Sequence, residues 1–225
     1  DNGILVWRSK HGEDGTIVSH NRIMRVANAS GGTGQYGNGI NIFRAANVLV
    51  TNNRISQCAY TAIRANEASN VQMIANSADK SGEVALYAEA AAERDGAPGF
   101  EGAIISSNMI DGAASGIVVT NFNNGGRLAV VQGNVIRNLH RREQESRDKR
   151  GEGIAVEADA VVANNVIENA PTAGVMVGWG KYMREVIVTG NLIRKARIGI
   201  ALSGDTAAGQ CLIANNMISG AVDGG

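Results

Sequence analysis

One phrase recurs along the whole chain, and it constrains the fold more than any other feature. It reads Val-x-Val-x-x-Asn-x-Ile and is preceded by a short strand of type Gly-Ile-x-Val. The asparagines are Asn21, Asn53, Asn76, Asn108, Asn134, Asn165, Asn191 and Asn216, spaced by 32, 23, 32, 26, 31, 26 and 25 residues. The shortest spacings approximate one bare repeat, and the excess in the longer ones is loop. The Gly-Ile-x-Val strand returns at Gly3, Gly39, Gly116, Gly153, Gly174 and Gly199, with variants at Ala62 and Val84. Apolar residues alternate with period two in these segments, the signature of strands and not of helices. Short strands at a period of about 25 residues, without helices between them, describe a solenoid. The two helix-like stretches, Val84–Arg94 and His140–Arg150, read as insertions.

The recurring asparagine has a physical task. At a sharp bend between two strands its amide satisfies turn backbone groups and tolerates left-handed geometry. Stacked in register, each amide also bonds the copy above and below it. The glycine that opens each first strand reads as a point where the chain bends without steric penalty.

Composition agrees with thin stacked layers. Only 4% of residues are aromatic, against 29 glycines and 2 prolines. The charge is balanced, with 21 basic and 21 acidic side chains, so the basic footprint of a nucleic-acid binder is missing and no such partner is expected. No apolar run approaches the roughly 18 residues a membrane helix needs, so no membrane insertion is expected. Arg141-Arg142 has no apolar segment after it and does not read as an export signal. Cys58 and Cys211 fall about six repeats apart, on the order of 29 Å at the strand spacing, too far to pair. The chain starts inside a repeat at Gly3 and shows no amphipathic cap, so it reads as a single β-helix domain over 1–225 belonging to a longer chain. The oligomeric state is left open.

The repeat resembles that of the pectin-lyase-like superfamily. That resemblance implies an all-β, right-handed parallel β-helix of about eight coils, with three strands per coil and an asparagine ladder at one turn. More narrowly, the chain is similar to a bacterial family of twin-arginine-translocated β-helix repeat proteins, which implies a periplasmic or secreted location. The resemblance also implies that ligand lies on the outer face of the strand opening each coil.

Two outward columns are expected on that face. One is Leu5, Asn41, Arg64, Ala85, Val118, Ala155, Met176 and Ala201; the next is Trp7, Phe43, Asn66, Tyr87, Thr120, Glu157, Gly178 and Ser203. Longer connections flank the strand, Met24–Asn38 and Leu139–Glu152 before it, Ala88–Glu101, Asn121–Arg127 and Gly178–Glu185 after it. They would wall a groove that mixes rings, amides and a few charges, as a sugar-binding surface does. Three readings follow. A polysaccharide lyase or hydrolase would use Glu157, Arg64 and Tyr87 in catalysis. A polysaccharide-binding module would use Trp179, Tyr182, Asn66 and Thr120 for contact. A structural or interaction segment of a larger exported protein would need none of these.

Several chemistries lack their residues. In this frame Glu157 is the single carboxylate on the face, so neither a calcium-binding aspartate cluster nor the acid pair of a glycosidase is expected. His11, His20 and His140 have no metal-ligand spacing, so no metal and no cofactor is indicated. Gly31–Gly34 lacks the following helix of a phosphate loop. The charged run His140–Arg150 reads as a solvated surface loop.

Overall fold

The computed structural model describes residues 1–32, 34–91, 96–145 and 150–223. Thr33, the end of the Val84–Arg94 stretch, part of the charged run and the terminal Gly224-Gly225 lie outside the described residues.

Alternation along each short strand places every second side chain inward, and the repeat stacks these side chains into columns. The result is a parallel β-helix. One face is an eight-stranded sheet, the second sheet, whose strands are Ile17–Ser19, Leu49–Thr51, Val71–Ile74, Glu101–Ser106, Arg127–Gln132, Ala158–Ala163, Arg184–Thr189 and Cys211–Ala214. The strands before and after these form the first and third faces. In four places, Ser77–Glu89, Met109–Thr120, Val166–Val177 and Leu192–Leu202, the third strand of one coil runs into the first strand of the next. Every pairing between coils is parallel among the described strands. Inward columns are chemically uniform. Ile40, Ile63, Leu86, Ile117, Ile154 and Val175 stack along the first sheet, and Val50, Met73, Ile105, Val131, Val162 and Val188 along the second. Like sits on like, so each coil fills its neighbour's layer with few voids.

The asparagine ladder is present and continuous. Asn134 donates through Nδ2 to Asn165 Oδ1 at 2.9 Å and to the Ile105 carbonyl at 3.0 Å. Its own Oδ1 accepts the Asn108 backbone N–H at 3.0 Å and Asn108 Nδ2 at 2.9 Å. The same links run from Asn21 to Asn216. Immediately before each ladder asparagine sits one residue with positive φ: His20, Asn52, Ala75, Ser107, Gly133, Asn164, Gly190 and Asn215. The turn is therefore a two-residue device, one left-handed residue to reverse the chain and one asparagine to absorb its backbone groups.

The strand-opening glycine acts differently from the expectation. Its φ is not in the left-handed region at Gly39, Gly116, Gly153 or Gly174; what it supplies is space. A Cβ on Gly153 would lie 2.5 Å from the Gly174 carbonyl oxygen and 2.6 Å from Ile167 Cγ2. Close approach of neighbouring coils, not a bend, requires glycine there.

One register expectation is corrected. In the fourth coil an extra residue enters the strand, since Ala113 pairs with Ser81 but Ser115 pairs with Val84. This bulge moves Tyr87 beside Arg64 and Val118, in the first outward column, and puts Glu89 beside Asn66 and Thr120, in the second. Ala85 is buried instead of facing outward. The expected insertion at Val84 is thus strand as far as Glu89.

Cys58 and Cys211 are both free thiols, with Cys58 buried. Burial pushes the Cys58 thiol up to about 11.

An Asn134→Ala substitution removes from the interior the acceptor of the Asn108 backbone N–H and the side-chain donor to the Ile105 carbonyl. At about 1–3 kcal/mol for each buried group, the expected loss is about 3 kcal/mol or more. Asn216→Ala, at a half-buried rung where water can replace the amide, is expected to cost about 1 kcal/mol. Urea unfolding of the two variants checks the order; equal losses would contradict a ladder that works by burial.

Candidate functional site

The outer face of the first sheet collects the chain's rings. Both tryptophans, Phe43 and Phe122, and Tyr36, Tyr87 and Tyr182 lie on this face or on loops flanking it, out of 2 Trp, 3 Phe and 4 Tyr in the sequence. Placement follows from the fold, because inward columns hold aliphatic side chains and Phe100 is the one large ring among the fully buried residues described.

The centre of the face is polar and is built by the bulge. Arg64 Nε donates to Glu89 Oε1 at 3.2 Å, and its Nη2 donates to the same oxygen. Asn66 Nδ2 also donates to Glu89 Oε1. Arg64 Nη1 reaches across to the Gly34 carbonyl and so ties the 27–38 loop to the strand. The Arg64 guanidinium carbon lies 5.7 Å from the Tyr87 ring centroid. Thr120 Oγ1 is 3.5 Å from the Tyr87 hydroxyl. Burial, and then the neighbouring Glu89 charge, pushes the Tyr87 phenol well above its ordinary range. Tyr87 therefore stays protonated under ordinary conditions and serves as a hydrogen-bond donor, not as a base.

Glu157 lies apart from this cluster. It follows Val156, which pairs with Val119, so it stands one coil beyond Thr120. Its side chain is only 7% exposed and turns under the loops instead of out into the groove. Oε2 accepts the Phe122 N–H at 3.0 Å and Oε1 accepts Trp179 Nε1–H at 3.2 Å. Burial raises its carboxyl above the ordinary glutamate range, opposed by these N–H donors. Glu157 thereby fixes the indole of Trp179, which is itself 60% exposed. Trp179 stacks on Tyr182 with centroids 4.8 Å apart, and Tyr182 meets Phe122 edge-on at 5.5 Å. Gly178 and Gly180, both with positive φ, let the chain turn tightly around the indole.

Of the residues named from sequence, Arg64, Asn66, Tyr87 and Thr120 come together, while Glu157, Trp179 and Tyr182 form a second group further along the face. Glu89 and Tyr36 were not among them. The signal for Glu89 was present: Leu86-Tyr87-Ala88-Glu89 repeats the pattern of Ile63-Arg64-Ala65-Asn66. Tyr36 sits on a loop with no repeat frame, and nothing in the sequence aligned it.

Among the described residues of the charged run before the sixth coil, Arg142, Glu145 and Arg150 are paired. Arg150 pairs with the buried Glu83 at 2.8 Å and with Glu145 at 3.1 Å, while Arg142 pairs with Glu145 at 2.6 Å. Ser115 Oγ donates to Glu152 Oε2 at 2.6 Å at the loop's return. These bonds fasten the described residues on either side of the run to the strands beneath them. Among the described residues no group of three or more His, Cys, Asp or Glu is arranged to hold a metal ion, and no helix is long and apolar enough to cross a membrane.

The raised carboxyl of Glu157 has a testable sign. The folded chain holds this proton more tightly than the unfolded chain does. That contribution to stability is present below the ordinary glutamate range and is lost as pH rises through the raised folded value. Glu157→Gln cannot ionise, so its stability relative to the native chain is expected to improve between acid and neutral pH. Tryptophan emission of the native chain is expected to titrate above the ordinary glutamate range, and that transition to vanish in the variant. Parallel pH profiles for the two proteins would refute the assignment.

No curated protein matches the chain. The family described as right handed beta helix region matches residues 2–193. With that match and the parallel coils described above, the chain belongs to the right-handed β-helix family.

Proposed function

We propose that the outer face of the first sheet is a polysaccharide-binding surface, in a protein that works outside the cytoplasm. The observation that carries this reading is the segregation of rings. A chain poor in aromatic residues gathers most of them on one face, with two indoles each 60% exposed, around a fixed polar centre. Sugars present apolar C–H faces to rings and hydroxyl edges to amides, carboxylates and phenols, and this face offers both. The exported setting rests on the family resemblance.

Binding without bond cleavage is the better reading of the same residues. Arg64 is occupied by Glu89 and the Gly34 carbonyl, and Glu157 is occupied by an indole and a backbone amide. Tyr87 is held protonated by its surroundings. Glycoside hydrolysis needs one carboxyl free to give a proton and a second free to activate water or attack.

A second reading, a protein-interaction segment, is favoured by the second sheet. Its middle outward column reads Ile17, Leu49, Gln72, Ile104, Val130, Val161, Ile187 and Leu212, and several of these are exposed.

Affinity electrophoresis against a panel of neutral and acidic polysaccharides, with reducing ends assayed in parallel, separates these readings. Retardation by at least one polymer, about tenfold weaker in Tyr87→Ala and Trp179→Ala, is expected, with no release of reducing ends. Release that Glu157→Gln abolishes would overturn the non-catalytic reading. No retardation by any polymer, with a sedimentation mass above that of one chain, would favour the interaction segment.

A further inference from the structure

At the first coils the face deepens into a cleft of about 260 Å³. Leu5, Trp7, Tyr36 and Phe43 supply its apolar lining, with Asn41 and Asn66 at its polar edge. Trp7 and Leu5 point out from the strand that pairs with Ile40–Ala46, so they are adjacent to Phe43 and Asn41 by register. Tyr36 arrives from the 27–38 loop, and that loop is fastened on several sides. The Gly34 carbonyl accepts Asn38 Nδ2 at 2.9 Å and Arg64 Nη1. The Gln35 carbonyl accepts Asn2 Nδ2 at 3.1 Å and Asn41 Nδ2 at 3.3 Å. The wall is therefore set before any ligand arrives, which lowers the ordering cost of binding.

Charge decides what the cleft suits. Arg64, at its inner edge, is matched by Glu89, and Arg44, stacked on the Phe43 ring at 4.6 Å, is matched by Glu67 at 2.6 Å. A uronate carboxylate entering here would meet cations already neutralised at hydrogen-bond distance, and would compete with Glu67 and Glu89 for them. Uncharged hydroxyls carry no such cost. The Asn41 and Asn66 amides retain acceptor oxygens toward a ligand hydroxyl, since the bonds they make to protein are through Nδ2.

Geometry sets the length of the ligand. Trp7 belongs to the first coil, and Trp179 follows Val177 of the seventh. Six coil steps separate them along the face, on the order of 29 Å at the parallel-strand spacing. A β-linked pyranose advances by about one coil step, so a chain of about six sugars spans both clusters.

We propose that this face takes a neutral glycan, anchored in the Leu5–Trp7–Tyr36–Phe43 cleft and held a second time at Trp179 once the chain is long enough to reach it. The inference rests on the polysaccharide-binding reading and adds its ligand class, its anchoring site and its length dependence.

Titration calorimetry with β-(1→4)-linked gluco-oligosaccharides, and with galacturono-oligosaccharides as the charged series, of increasing length tests it on the full chain. The gluco series is expected to bind more tightly than the galacturono series. Affinity is expected to step upward at about six units, where the second contact becomes intramolecular. Trp7→Ala is expected to weaken every length about tenfold, and Trp7→Phe, which keeps a ring, to restore most of that loss. Trp179→Ala is expected to leave short chains unaffected and remove the step. Trp7 is 60% exposed, so its removal takes nothing from the core; circular dichroism of each variant verifies the fold. Preference for the galacturono series, undiminished affinity in Trp7→Ala, or affinity that grows without a step would each overturn this inference. If Tyr87→Ala still abolished binding in those cases, the polysaccharide reading would stand. Absence of binding to either series overturns the inference; retardation by another polymer in electrophoresis would then preserve the polysaccharide reading, and its absence would remove that too.

Discussion

The pairing of a left-handed residue with a buried asparagine at one corner of every coil is the constraint on which the rest depends. It closes each turn in two residues, so coils share one size at that corner whatever is inserted elsewhere. Because Asn76, Asn108 and Asn134 each bond the next rung, the ladder also sets the vertical register. Once the register is fixed, outward residues of successive coils become neighbours. Arg64, Tyr87 and Val118, far apart in sequence, are side by side for this reason alone.

The other two corners are free to vary, and variation there builds the groove. The 27–38 loop, anchored through its Gly34 and Gln35 carbonyls, raises one wall. In the 139–152 connection, Arg142 and Arg150 are drawn down onto Glu83. After the first strands of the sixth and seventh coils, Glu157 and two left-handed glycines hold Trp179 out toward solvent. Buried carboxylates here do architectural work. Glu83 and Glu157 each receive donors from loops that flank the strands.

Most of this fold was legible in the sequence because it is written as repetition. Each ladder asparagine was identifiable from its frame, and alternation gave the inward columns. Legibility failed where the frame slipped. The extra residue between Ser81 and Val84 comes just before a run, Val84-Ala85-Leu86, whose three apolar residues carry no parity, so Tyr87 was assigned one column over and Glu89 was missed. Glu157 followed the frame correctly, yet its side chain turned inward because the amide of Phe122 and the indole of Trp179, both from loops, offered it partners. The glycine column was visible too, but its cause, contact with the adjacent coil's carbonyl, belongs to packing and is invisible to local pattern. Loop residues such as Tyr36, which complete the cleft, have no repeat to place them.

Crystallography of the chain with a bound gluco-oligosaccharide tests the central claim most directly, that the first-sheet face is where ligand lies. Sugar rings stacked on Trp7 and Tyr36 and running along the coils past Tyr87 toward Trp179 are the expected result. Sugar on the second-sheet face, or across the coils with both indoles untouched, would contradict it.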